Sequence, residues 1–150
     1  MLPSQVRQMI QDDHRWLREL LADARTTARR VEEGDHALCG RLRETAQAMR
    51  ERFLGHLALE EQYLVPALRD ADAWGEERAA RLLAEHADQR ARFAALLDAL
   101  RQPCGDCSVL ARDVLALAGD LVADIESEER TLLAERVLHD DPVVVDAEPE

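Results

Sequence analysis

Lysine is absent from this chain of 150 residues, and all 19 basic residues are arginine. That bias reads as a property of GC-rich coding and carries no functional weight. Aromatic residues make up only 3%, with 6 glycines and 5 prolines, a scarcity that excludes a sheet-rich fold with many tight turns. No stretch of about 18 consecutive apolar residues exists, which excludes a membrane-spanning helix. Met1-Leu-Pro-Ser-Gln-Val-Arg7 lacks an apolar run before a small-residue cleavage site, so the expected compartment is the cytoplasm. The cysteines, Cys39, Cys104 and Cys107, are odd in number, and the expectation is reduced thiols rather than a disulfide framework. A formal charge of −12, with the arginines interleaved among acids, excludes a nucleic-acid surface, which needs clustered cations.

What is present is helix-forming. Ala, Leu, Arg and Glu dominate, and 47% hydrophobic content over this length suffices for one domain with a core of its own. Apolar residues recur at helical spacing in four stretches. Val6, Ile10, Leu17, Leu21, Ala24, Ala28 and Val31 mark the first, from about Pro3-Ser4 to Gly34. The second runs from about Asp35 through Leu42, Met49, Phe53, Leu57 and Leu64, with Pro66 as a potential kink. Ala79, Leu82, Phe93, Leu96 and Leu100 mark a third that stops at Gln102-Pro103. Ser108 reads as the N-cap of the fourth, which continues through Leu110, Val114, Leu121 and Ile125 to about Leu138. Short connections imply an all-α, up-down-up-down antiparallel four-helix bundle over residues 1–139, followed by a flexible acidic tail over 140–150.

Ionisable residues interrupt these seams. His56 precedes Glu60 by four residues, and Asp124 precedes Glu128 by four, so each pair shares one helix face. His14 and His86 interrupt the other two. In the antiparallel arrangement His14 lies 19 residues before Glu33 and His56 lies 20 after His36, which puts them at one height. The same counting brings His86 and Asp124 to that layer within about one turn, or roughly 5 Å. Burying so many ionisable groups is costly unless a cation compensates them. Three imidazoles and three carboxylates without thiolates suit iron or manganese better than structural zinc. Six side chains are too many for one iron and suit two that share Glu60 and Glu128.

These residues resemble the hemerythrin-like, or HHE cation-binding, domains. The resemblance rests on Asp13-His14-x-x-Leu17-Arg18, Phe53-x-x-His56-x-x-x-Glu60-Glu61-x-x-Leu64-x-Pro66, Glu85-His86 and Ile125-x-x-Glu128-Glu129-x-x-Leu132, and spans about residues 5–138. It implies a non-haem centre of two irons, oxo- or hydroxo-bridged, with His14, His56, Glu60, His86 and Glu128 on ligand positions. Asp124 stands where the family has histidine, and its shorter reach bears on the second iron. Arg90 stands where the oxygen-carrying members have a further histidine, which turns the expectation away from reversible oxygen carriage. The implied function is binding, sensing or reducing a small diatomic or peroxide ligand (O2, NO or peroxide). The alternative is an iron-binding or iron-sensing module without turnover, mono-iron because of Asp124. A protein partner or homodimer fits either reading.

Other polar residues receive plainer readings. Glu61 and Glu129 neighbour ligand positions, point about 100° away, and are read as outward charges pairing with arginine. Tyr63 is read as a hydrogen-bond donor to the site or as a core residue, and Trp16, Phe53 and Phe93 as core. His36 and His139 are expected in solvent. Cys104-Gly-Asp-Cys107 has the spacing of redox and zinc motifs but no second pair to complete a zinc site. It falls at a bundle end roughly 22 Å from the polar layer. Val143-Val-Val145 is read either as an added strand for a partner's sheet or as part of a disordered end.

Overall fold

The computed structural model describes residues 1–103 and 106–141. Among them every regular element is helical: α1 (Pro3–Glu32), a 3₁₀ turn (His36–Leu38), α2 (Cys39–Leu59), a π turn (Glu60–Leu64), α3 (Val65–Ala71), α4 (Gly75–Arg101) and α5 (Ser108–Thr131). No helix among the described residues is long and apolar enough to cross a membrane.

Proline at the first turn and glycine past the end bound α1 as expected. Gly34 has φ +106, and the N–H groups of Gly34 and Asp35 reach back to Val31 O at 3.0 Å and Arg30 O at 2.9 Å. These bonds satisfy carbonyls that the helix leaves unpaired and turn the chain sharply.

The second helical stretch runs through Pro66 into α3 with no break in its helical turns. It widens one turn earlier, into the π turn, where the Val65 N–H bonds to Glu60 O. Pro66 has no N–H for Gln62 O, and its ring would crowd that carbonyl in a regular helix, so the extra residue in the turn relieves both problems. Two further boundaries differ from expectation. Ser108 is the first residue of α5 rather than its cap, and Asp106 Oδ1 accepts the Ser108 N–H at 2.9 Å. The fourth helix ends at Thr131 rather than near Leu138. A straight continuation would carry Leu133, Val137 and Leu138 past the bundle, whereas the turns after Thr131 bury all three against Val6, Ile10, Leu68 and Leu82. Asp140 then takes hydrogen bonds from the Ser4 N–H (2.9 Å) and Oγ (2.6 Å), so this acid docks on the start of α1. Residues 142–150, including Val143–Val145, lie outside the described residues.

The core is divided. One apolar cluster gathers Leu17, Leu21, Met49, Phe53, Leu57, Phe93, Val114 and Leu121, and a second gathers Val6, Ile10, Leu64, Val65, Leu68, Leu82 and Leu138. Along α1, the α2–π stretch and α4, the buried polar residues Asp13, His14, Glu60 and His86 fall between the two clusters, and His56 sits at the edge of the first, next to Leu57. The cysteine expectation is corrected at the first cluster: Cys39, at the start of α2, and the buried Cys107, beside the start of α5, form a disulfide. The two are 68 residues apart in sequence, a pairing that local spacing does not signal. Cys104 lies outside the described residues, so the Cys104-x-x-Cys107 motif is only half placed. Trp16 is a second correction, because it is 67% exposed on the outer face of α1 instead of packed inside. Phe53 and Phe93 are core, with ring centroids 5.5 Å apart.

Candidate metal centre

Each helical stretch delivers its polar residue because that residue sits on the apolar stripe. His14 shares a face with Ile10, Leu17 and Leu21, His56 with Met49 and Phe53, and His86 with Leu82 and Phe93. All three histidines and Glu60 are at most 2% exposed.

Glu60 is the hub. His56 Nε2 lies 2.6 Å and His14 Nε2 3.6 Å from its Oε1, and His86 Nε2 lies 2.7 Å from its Oε2. Glu128 Oε1 approaches His14 Nε2 at 3.2 Å. Donor atoms of His14, His56, Glu60 and Glu128 all fall within 4.8 Å of one another, a group that could hold a metal ion. His14 Nε2, Glu60 Oε1 and Glu128 Oε1 are buried and have no aligned hydrogen-bond partner despite these short separations. Buried polar atoms left without partners call for a ligand to satisfy them, and the mixed imidazole and carboxylate donor set fits a transition-metal cation.

Asp124 is placed differently from the other expected ligands. It is half-buried, stands outside that four-residue group, and its Oδ2 accepts from Gln89 Nε2 at 3.1 Å. His36 and His139 are exposed, as expected. The Tyr63 hydroxyl accepts from Gln62 at 3.2 Å, and the ring packs on the second apolar cluster.

The other ring nitrogens reveal what the sequence reading missed. His56 Nδ1 donates to Asp13 Oδ2 at 2.7 Å, His86 Nδ1 to Glu61 Oε1 at 2.9 Å, and His14 Nδ1 to Glu129 Oε1 at 3.1 Å. Each carboxylate is gripped in turn by an arginine one turn from its histidine. Arg52 pairs with Asp13, Arg90 with Glu61 at 2.6 Å, and Arg18 with both oxygens of Glu129 at 2.9 and 2.7 Å. Glu61 and Glu129 therefore do pair with arginines, but they are not merely outward charges. A carboxylate on Nδ1 fixes the ring orientation and leaves Nε2 toward the hub. In the sequence, each of these acids is adjacent to a residue of the site: Asp13 to His14, Glu61 to Glu60, Glu129 to Glu128. That adjacency was the available signal.

Electrostatics follow from this double embrace. Burial opposes a charge on His14, yet the nearby Glu128 and Glu60 carboxylates prevail and hold its pKa up to about 10. Burial likewise opposes charge on His56, and Asp13 and Glu60 carry it up to about 9. His86 is raised against burial by Glu60 and Glu61. Burial alone would push the Glu60 carboxyl up, but the three imidazoles hold it well below the usual range. Glu128 goes the other way, pushed well above that range by burial and by the charge on Glu60. Without a cation the hub is thus neutralised by protons on Nε2, the atoms a metal would take.

Residues 5–135 match the hemerythrin HHE cation binding domain. No curated protein and no solved structure matches the chain significantly. With a match over most of its length and a buried His/Glu cluster able to hold a metal, the chain belongs to the hemerythrin HHE cation-binding domain family.

Proposed function

We propose that this domain is a non-haem, iron-based centre for two cations that binds, senses or reduces a small ligand: O2, NO or peroxide. The observation that carries the reading is the convergence of three imidazole Nε2 atoms from three helices on the two oxygens of one buried glutamate. A carboxylate approached on both oxygens is suited to bridge two cations. One cation would be held by His14, His56, Glu60 and Glu128, and the second would draw on His86 and Glu60. Bound iron would supply electrons and an open position for the ligand. The chain's residues do the rest. Asp13, Glu61 and Glu129 orient the rings, and Phe53, edge-on to His56 at 5.5 Å, helps keep water out. The up-down-up-down antiparallel order belongs to the same reading, supported by the Cys39–Cys107 link between the starts of α2 and α5 and by Asp140 at the start of α1.

The test is metal content with Mössbauer and optical spectra of protein expressed in iron-rich medium. Close to two irons per chain, with a spectrum altered by NO or peroxide, is expected; a colourless, metal-free protein refutes the proposal. The placement of Asp124 against Gln89 favours a second reading, a mono-iron regulatory module without turnover. Under that reading one iron binds, and chelation changes helix content or oligomeric state while NO and peroxide leave the spectrum unaltered.

A further inference from the structure

Trp16 is 67% exposed, although it follows the buried His14 and precedes the buried Leu17 on α1. It does not stand alone. α1 and α2 pack side by side, and an open groove of about 680 Å³ runs along them, within the size range of clefts that seat ligands. Trp16 and Leu20, one turn apart on α1, and Ala48 of α2 give the groove an apolar floor. Its surroundings are acidic. Some of these acids already have cations: Asp12 pairs with Arg15, Asp13 with Arg52, and Asp23 with Arg41 at 3.4 Å. Glu19 of α1 and Glu51 of α2 also line the groove, and neither makes an ion pair among the described residues. Glu51 takes a hydrogen bond from Gln47 Nε2 at 3.0 Å. An apolar floor flanked by two carboxylates without cations is the complement of an apolar stripe flanked by basic side chains.

We propose that this face of α1 and α2 is a docking surface for a cationic amphipathic helix of a protein partner. The partner's apolar stripe lies on Trp16, Leu20 and Ala48, and its arginine or lysine side chains meet Glu19 and Glu51. A furrow along two packed helices takes a third helix through side chains spaced three and four apart. The indole of Trp16 supplies contact area and a face on which a guanidinium or ammonium group stacks. Charge selects this occupant over others. A second copy of the chain would bring the same two acids and a formal charge of −12 to the contact, and nucleic acid or an anionic lipid surface would be repelled in the same way. The surface uses no donor atom of the Glu60 hub, so it stands whether or not the hub holds a cation.

The probe is a synthetic peptide of about 18 residues, or five helical turns, with leucine at helical spacing on one face and arginine and lysine beside it. It is titrated by calorimetry into the full chain, and by fluorescence into a Trp74→Phe variant in which Trp16 is the one remaining indole. Expected are saturable binding that weakens with salt, a shift of Trp16 emission to shorter wavelength, and a gain in helix content of the peptide. Trp16→Ala should weaken binding by at least about tenfold. Glu19→Gln combined with Glu51→Gln should weaken it about three- to tenfold and flatten the salt dependence. Glu76→Gln combined with Glu77→Gln removes the same charge from exposed side chains at the start of α4, and should leave affinity within about twofold. All of these changes fall on exposed positions, and urea melts verify that each variant folds. No saturable binding up to about 1 mM peptide would overturn the proposal. So would equal binding of a peptide with the same composition in scrambled order, or with glutamate in place of its basic residues. An affinity untouched by Trp16→Ala, or lowered as much by the α4 pair as by the groove pair, would overturn it as well. If the chain alone dimerises in sedimentation and Trp16→Ala abolishes the dimer, a second copy is the occupant and the proposal is wrong.

Discussion

Raising the pH of the metal-free protein should destabilise it steeply between about pH 7 and 10. His14 and His56 bind their protons more tightly folded than unfolded, with pKa values of about 10 and about 9 against an ordinary 6.5. A raised value contributes stability that is complete below the unfolded pKa and is lost as pH climbs through the folded one. Each tenfold change in proton affinity is worth about 1.4 kcal/mol, which gives His14 at most about 5 kcal/mol and His56 at most about 3 kcal/mol. Both titrations draw on Glu60, so their combined effect is less than additive. Even half of it is comparable with the 5–15 kcal/mol that typically holds a domain together. Glu128, held above the carboxylate range, pushes the same way, since ionising it beside Glu60 disfavours the fold. Urea melts followed by circular dichroism at pH 6.5, 8 and 9.5, with chelator present, measure the slope. Adding iron(II) should flatten it, because a cation replaces the Nε2 protons. His14→Gln should flatten it too, even while lowering stability overall. A metal-free protein whose stability is level or rising from pH 6.5 to 9.5 would refute the picture of an imidazolium-neutralised glutamate hub.

Replacing the ring-orienting acids one at a time, Asp13→Asn, Glu61→Gln and Glu129→Gln, should weaken iron binding by about 10- to 100-fold each in chelator-competition titrations. Unchanged affinity would make those acids bystanders. Gly75→Ala should cost about 1–3 kcal/mol or more in urea melts, since a Cβ there would lie 1.9 Å from Leu68 O and backbone must move. Gly55→Ala and Gly119→Ala have open space at the same point and should stabilise their helices by about 0.5–1 kcal/mol. Denatured protein should gain two titratable thiols on reduction. Cys107→Ser should lose about 4 kcal/mol by the chain-entropy argument for a 68-residue separation, seen as a lower urea midpoint.

Helical periodicity and one glycine made most of the α1 boundary legible, and counting residues from helix ends brought His14, His56 and His86 to one depth. What escaped were interactions between residues far apart in the chain. Helix geometry alone points Glu61 some 100° away from Glu60. That geometry neglects the reach of a glutamate across to the neighbouring helix, and the π turn, which changes the local rotation where Pro66 cannot donate. The Cys39–Cys107 bond was hidden for a similar reason, because spacing highlights Cys104 and Cys107 while the bundle brings Cys39 to the same end. The apolar pattern runs on past Thr131, where α5 stops, because residues at helical spacing also suit a chain folded back over a bundle end. Trp16 shows the converse, since a large apolar side chain near a buried histidine can still face outward.

The ring-orienting contacts close on themselves. α5 holds His14 of α1 through Glu129, α1 holds His56 of α2 through Asp13, the π turn holds His86 of α4 through Glu61, and α4 returns to α5 through Gln89 and Asp124. A circuit of this kind has no slack end. Displacing any one rod strains two links, and the disturbance reaches groups on the far side without passing through the apolar interior. Under the metal-centre reading proposed above, seating an ion would therefore shift the acids held by Arg18, Arg52 and Arg90, whose guanidinium groups stand at the rim.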